Sequence, residues 1–137
     1  MIVKLTTSEL EYWQKQWLKD EATDTAFNLI LEEDGDLETA FNELFQEKNG
    51  TIPSFNNQSL WEVILQVMRQ EICGENDSLK SQIQAVRNNP GKTSILTGII
   101  IYIIEKCPLP LDTALATMIL LYLLKVGIDI FCDYTAN

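Results

Sequence analysis

The chain has 137 residues, of which 20 are Asp or Glu, 10 are Lys or Arg and none is His, so its formal net charge is −10. A chain this acidic repels phosphate groups, which argues against direct binding of nucleic acid. The absence of histidine excludes His-based catalytic triads and His-ligated metal sites. With 46% hydrophobic and 22% charged residues the composition is that of a folded globular protein.

The first part of the chain is predicted to form three acidic helices. Apolar residues recur at helical spacing over residues 8–19, 23–33 and 36–48, and residues 1–50 contain twelve acidic residues against four basic ones. Thr6 and Ser8, each followed three residues later by Glu, both fit a capping box at the start of the first helix. Gly35 and Gly50 are placed to end the second and third helices.

The stretch from residue 25 to residue 45 contains an internal echo, since Thr-Ala-Phe-Asn begins at 25 and again at 39. Residues 8–48 resemble UBA-like three-helix bundles, in which an alanine-led helix is followed by an acidic turn and a Gly-Asp-Leu-Glu-x-Ala pattern. The cap and core positions of that pattern are occupied here by Asp36, Leu37, Ala40, Leu44 and Phe45. The loop at residues 19–24 lacks the Met-Gly-aromatic triplet that helps this family grip ubiquitin. The resemblance therefore implies a small acidic docking bundle without the ubiquitin-gripping triplet.

A second unit is predicted after a linker. Pro53 lies in the polar run 51–57 and forbids continuation of a helix there. Helical periodicity then resumes over residues 60–73, where Ser59 fits as a cap, and more weakly over residues 78–88. We therefore divide the chain into an acidic three-helix module, residues 1–50, and a helical domain, residues 58–137.

The last third of the chain is the most apolar and predicts a helical hairpin. Its arms are residues 93–106 and 112–131, and Asp112 fits as the cap of the second arm. Both arms are apolar nearly all round, which is typical of helices buried on most sides. Residues 95–104 also have high strand propensity, so a strand is the alternative there. The apolar surface is large enough to suggest self-association through the last helix.

The three cysteines have no paired spacing. An odd number of cysteines without an evident signal peptide suggests buried thiols in a reducing interior, and hence a cytoplasmic protein. We expect no catalytic residue, no cofactor and no metal, since no recognisable constellation of such residues is present.

The overall prediction is an all-α, non-enzymatic protein that acts as an adaptor or regulatory subunit by binding another, possibly basic, protein. Tryptophan is enriched at binding hot spots, although it is also a common core residue in small bundles. The candidate contact residues are Trp13, Trp17, Leu44 and Phe45. The alternative function is a membrane-docking or membrane-inserting protein that uses the C-terminal apolar hairpin.

Overall fold

A computed structural model describes residues 3–52, 58–73 and 78–135, and these residues form an all-α protein. The all-α prediction is therefore confirmed. Pro53 and most of the predicted linker lie outside the described residues. The helices are α1 (Thr7–Gln16), α2 (Glu21–Glu32), α3 (Leu37–Asn49), α4 (Leu60–Ile72), α5 (Ser78–Asn88), α6 (Thr93–Lys106), α7 (Thr113–Val126) and α8 (Ile128–Thr135).

Most helices begin where a side chain accepts a hydrogen bond from a free backbone amide of the first turn. At α1 the structure selects the Thr6 capping box, in which Thr6 Oγ1 accepts from the Glu9 amide and the Glu9 carboxylate accepts from the Thr6 amide. The predicted caps at Asp36, Ser59 and Asp112 are confirmed. Asp20 caps α2, so that helix begins two residues earlier than predicted.

Helix α7 is the centre of the fold. Every side chain from Ala114 to Leu124 is buried, which confirms the prediction of a helix buried on most sides. Helices α2 and α3 pack on it from one part of the chain, and α6 and α8 pack on it from the other. The apolar surface that suggested self-association through this helix is thus used inside the chain.

The hydrophobic core continues across the predicted boundary between the two units. A chain of aromatic contacts crosses it: Phe41 on α3 lies 5.2 Å from Trp61 on α4, measured between ring centroids, and Trp61 lies 5.4 Å from Tyr122 on α7. Tyr122 in turn contacts Phe131 on α8 at 6.3 Å. The sequence left open whether the N-terminal helices dock on the rest of the chain, and these contacts show that they do.

Two predictions about the apolar hairpin are corrected by the structure. The strand alternative for residues 95–104 is wrong, because they lie within α6. The predicted single helix 112–131 ends instead at Val126 and is followed by the separate helix α8. The break lies at Gly127, whose backbone dihedrals (φ 88°, ψ 141°) are accessible to glycine and strained for other residues.

A short N-terminal segment is held against the turn between α2 and α3. The Leu5 amide donates to the Gly35 carbonyl at 2.9 Å, and Lys4 forms an isolated antiparallel bridge with Asp36. Gly35 has φ +85°, and a Cβ built on it would lie 2.0 Å from the Leu5 carbonyl oxygen. The segment can approach this closely only because residue 35 has no side chain.

Replacing Gly35 by alanine is expected to lower the free energy of unfolding by about 2–3 kcal/mol, because the new Cβ adds a clash with Leu5 to the cost of a positive φ. Gly50 is the matched control, since it has the same φ of +85° but no atom within 4 Å of a built Cβ. Gly50→Ala should cost only about 1 kcal/mol. Urea denaturation of both variants measures the difference, and equal losses would mean that the Leu5 contact contributes nothing.

The cysteines differ from the sequence-based expectation of buried free thiols. Cys73, at the end of α4, and Cys132, on α8, form a disulfide across a sequence separation of 59 residues, with Cα atoms 5.5 Å apart. Cys107 is the buried free cysteine. The expectation failed for two of the three cysteines because a long-range pairing of this kind leaves no signature in sequence spacing.

No helix within the described ranges is long and apolar enough to cross a membrane. The arms of the predicted hairpin are α6 and α7, and α7 is the most enclosed helix of the protein. Insertion of the hairpin into a membrane, the alternative function, would require α7 to leave the centre of the fold.

Candidate interaction surface

The four predicted contact residues lie in the interior of the protein. Trp13 is 9% exposed, and Trp17, Leu44 and Phe45 are each 2% exposed or less. Trp17 packs edge-on against both Trp13 and Phe27, with ring centroids 5.9 and 5.8 Å away. In this conformation the four side chains pack in the core rather than at the surface.

The most distinctive surface lies at the turn between α2 and α3, where carboxylates crowd one another. The pKa of Glu33 is raised, first by a side-chain hydrogen bond with Glu43, then by burial, and then by the negative charges of Glu43, Asp34 and Asp36. Glu33 is the residue that follows α2, and Glu43 lies on α3. The tertiary fold, rather than sequence adjacency, therefore brings these two carboxylates together.

The crowding extends from this turn towards α4. Burial raises the pKa of Glu38, the negative charges of Asp36 and Glu62 raise it further, and the positive charge of the N-terminal amino group opposes them without reversing the shift. Glu62 lies in the first turn of α4, beyond the predicted linker. We name the resulting surface the acidic face, and its members are Glu33, Asp34, Asp36, Glu38, Glu43 and Glu62.

Three carboxylates elsewhere among the described residues, Glu9, Asp112 and Asp129, form ion pairs with lysines. The Lys125 ammonium lies 2.8 and 2.9 Å from the two Glu9 carboxylate oxygens, Lys48 pairs with Asp112, and Lys80 lies 3.8 Å from Asp129. For Glu9, burial alone would raise the pKa, but the hydrogen bonds from Lys125 and Thr6 and the charge of Lys125 lower it overall.

No ion pair among the described residues reaches the acidic face. Even Lys4, whose backbone pairs with that of Asp36, forms no ion pair with a described carboxylate. The negative charge of this surface is therefore not neutralised within the part of the chain that the structure describes.

An apolar groove lies between α1 and α2. Its cavity of about 200 Å³ is lined by Leu10, Phe27 and Leu31, together with the polar residues Thr7, Glu11, Gln14 and Asn28. Leu31 is 53% exposed and lies two residues before Glu33. An exposed apolar side chain is thus available close in the chain to the acidic face.

Other kinds of chemistry find little support in the described residues. Across residues 3–52, 58–73 and 78–135 no group of three or more Cys, Asp or Glu side chains is arranged to hold a metal ion. Burial raises the pKa of the Cys107 thiol, with a backbone hydrogen bond at Leu109 opposing it, so this cysteine is protonated and poorly nucleophilic at neutral pH.

The raised pKa of Glu33 predicts a pH-dependent stability. A carboxyl group whose pKa is raised on folding contributes stability below its unfolded pKa and loses that contribution as the pH rises through the folded pKa. Glu33→Gln is therefore expected to unfold at a higher urea concentration than the wild type at neutral pH and low salt. The difference should vanish below the ordinary glutamate pKa. Glu11→Gln is the control, and an equal gain in that variant would argue against crowding at Glu33.

Comparisons of the chain with protein-family models, with curated proteins and with solved structures find no match. The function proposed below is therefore argued from the residues of this chain alone.

Proposed function

We propose that the protein is a non-enzymatic interaction module whose acidic face binds a basic segment of another protein. The observation that carries the proposal is the crowding of carboxylates at the turn between α2 and α3. A hydrogen bond with Glu43 is the largest cause of the raised pKa of Glu33, burial is the largest cause for Glu38, and neighbouring negative charges raise both further. Since no described lysine or arginine forms an ion pair with these carboxylates, an external cationic side chain is the missing counter-charge.

Binding of a basic partner to such a surface is favoured for two reasons. Its lysines or arginines form new ion pairs, and they also relieve the repulsion that the free protein carries. Complementary charge accelerates association and orients the partner, whereas apolar contacts supply much of the affinity. The exposed Leu31 and the groove behind it offer the apolar contact. The preferred ligand is thus a basic segment that also carries an apolar side chain.

The way the acidic face is held favours recognition without large rearrangement. Leu37, Ala40 and Phe41 on α3 and Ile30 on α2 are fully buried beneath it, and both helices pack on α7. Carboxylates on packed helices, such as Glu38 and Glu43 on α3, lose little conformational freedom on binding, compared with carboxylates on a free loop.

The role of helices α1 to α3 and the cellular location of the protein are also matters of proposal. Helices α1 to α3 are the segments that resemble a UBA-like bundle, and we propose that they act as the docking element of an adaptor or regulatory subunit. For the predicted cytoplasmic location, the disulfide between Cys73 and Cys132 is a counter-argument, because structural disulfides are rare in a reducing cytosol.

The test is binding of a lysine- and arginine-rich peptide that contains leucine, measured by fluorescence anisotropy at low salt. The double variant Glu33→Gln/Glu43→Gln is expected to bind about tenfold more weakly than the wild type, given the energy of exposed ion pairs. The matched control, Glu105→Gln/Asp133→Asn, removes the same charge from exposed positions on α6 and α8 and should bind nearly as well as the wild type. Equal weakening in both variants would refute a localised site and leave only a general effect of net charge.

A further inference from the structure

A second candidate site lies away from the acidic face, where α5 meets the junction of α7 and α8. A cavity of about 410 Å³ opens there, which is within the range of small-molecule sites. Its apolar wall includes Ile83, Leu123 and Ile128, all buried. Its polar wall is formed by Gln84, Arg87 and Asn88, whose spacing of three and four residues places them on one face of α5.

Arg87 holds a central place in this region. Together with Leu124 it also lines a second cavity of about 380 Å³, which contains Tyr12 and Lys125. A Cβ built on Gly127 would lie 2.8 Å from Arg87 Nη1, so the guanidinium lies against the backbone at the glycine that separates α7 from α8. The side chain can take this position because residue 127 has none.

The guanidinium has no partner among the residues that the structure describes. Each described ion pair is made by a lysine, and no described hydrogen bond ends on Arg87. A planar guanidinium offers a fork of donors that matches the two oxygens of a carboxylate.

The other charges around the cavity do not occupy Arg87. Asp129 lines the same cavity, but its side chain is 80% exposed and its carboxylate is 3.8 Å from the Lys80 ammonium. Lys125, in the second cavity, is held by both carboxylate oxygens of Glu9. Arg87 is therefore the cation that is available for a ligand at this place.

We propose that this cavity binds a small aliphatic carboxylate, meaning an organic acid with a hydrocarbon tail. The carboxylate pairs with the Arg87 guanidinium, and the amide groups of Gln84 and Asn88 donate further hydrogen bonds to its oxygens. The tail lies against the apolar wall and the exposed Ile130. The proposal does not depend on the acidic face or on a protein partner.

The composition of the cavity favours this class over other anions. A phosphate or nucleotide carries two or more negative charges, and a single free guanidinium in a protein of net charge −10 compensates only part of them. An aliphatic cation would leave Arg87 unpaired and meet it as a like charge. A monocarboxylate with an apolar tail matches both the guanidinium of Arg87, which no described residue pairs, and the apolar wall of the cavity.

The experiment compares hexanoate, hexanamide and hexylammonium, which share a hydrocarbon tail and differ in head group. Each compound is titrated into the protein, and binding is followed by NMR through the backbone amide signals. Hexanoate is expected to shift the signals of the cavity residues saturably, hexanamide to bind at least about tenfold more weakly, and hexylammonium not to bind there. Arg87→Gln should weaken hexanoate binding by about tenfold or more, and Arg87→Lys by less. Ile130→Gln should weaken it through the tail alone.

Lys92→Gln is the matched control, because it removes one positive charge from an exposed position at the start of α6, and it should bind hexanoate as the wild type does. All of these positions are exposed, so the variants are expected to fold. The proposal is overturned if hexanoate causes no saturable shifts, if the three compounds bind alike, or if Arg87→Gln and Lys92→Gln bind hexanoate equally well.

Discussion

Phe41→Ala is expected to lower the free energy of unfolding by about 3–5 kcal/mol, the range found when a buried aromatic side chain is truncated. Phe41 is fully buried on α3 and contacts Phe45 and Trp61, with ring centroids 6.1 and 5.2 Å away. Its removal leaves a cavity where the acidic helices meet α4 and also removes aromatic contacts worth about 0.5–1.5 kcal/mol each.

Urea denaturation followed by circular dichroism measures this loss. Phe41→Leu is the control, since it retains an apolar side chain and should cost about 1.5 kcal/mol or less if the neighbours repack. A loss below about 1 kcal/mol in Phe41→Ala would mean that the contact between α3 and α4 is not part of a common core.

The second large effect is expected from the disulfide. Replacing both Cys73 and Cys132 by alanine should lower the free energy of unfolding by about 4 kcal/mol, because the cross-link closes a long loop and so restricts the unfolded chain. The bond also ties α8 to the end of α4. Helix α8 should therefore be the first element to lose its protection against amide exchange in the double variant.

Cys107→Ala provides the control for the loss of a thiol, and it should cost about 1 kcal/mol. A reducing agent should destabilise the wild type by the same amount as the double substitution and leave the double variant unchanged. If the wild type and the double variant unfold at the same urea concentration under oxidising conditions, the disulfide does not make the contribution assigned to it.

Local features of the fold were predictable from the sequence because their causes are local. The caps at Asp36, Ser59 and Asp112 follow from a short polar side chain placed before an apolar helical repeat. The end of α3 at Gly50 follows from the ability of glycine to adopt a positive φ. The enclosure of α7 followed from its apolar character on all sides.

Features that depend on long-range packing were not predictable. The sequence of α7 shows that it needs partners but not that α2 and α3 supply them. The predicted division at residues 51–57 was based on the local signal of Pro53 and its neighbours. Gly127 is a local stop signal of the same kind as Gly50, but the apolar helical pattern continues past it, and for this reason the predicted helix was extended to residue 131. The pairing of Cys73 with Cys132 spans 59 residues and depends on how α8 folds back on α4.

The candidate sites also combine features that the sequence shows with features that only the tertiary fold creates. The excess of acidic residues in the first 50 positions is visible in the sequence, but the meeting of Glu33 with Glu43, and of Glu38 with Glu62, depends on the tertiary fold. The spacing of Trp13 and Trp17 showed that they share a helix face without telling whether that face is inside. Nothing in the sequence singled out Arg87 as a candidate ligand-binding residue, because that role depends on the cavities that the fold forms around it.

The central claim is that α7 unites the acidic helices and the C-terminal helices in one core, so that the acidic face is displayed by a single cooperative unit. Amide hydrogen exchange at increasing sub-denaturing urea concentrations tests this claim directly. The slowest amides of α2, α3, α6 and α7 are expected to converge on one opening free energy with one urea dependence. Exchange of α2 and α3 through a separate opening, while α6 and α7 stay protected, would contradict the claim and restore two independent units.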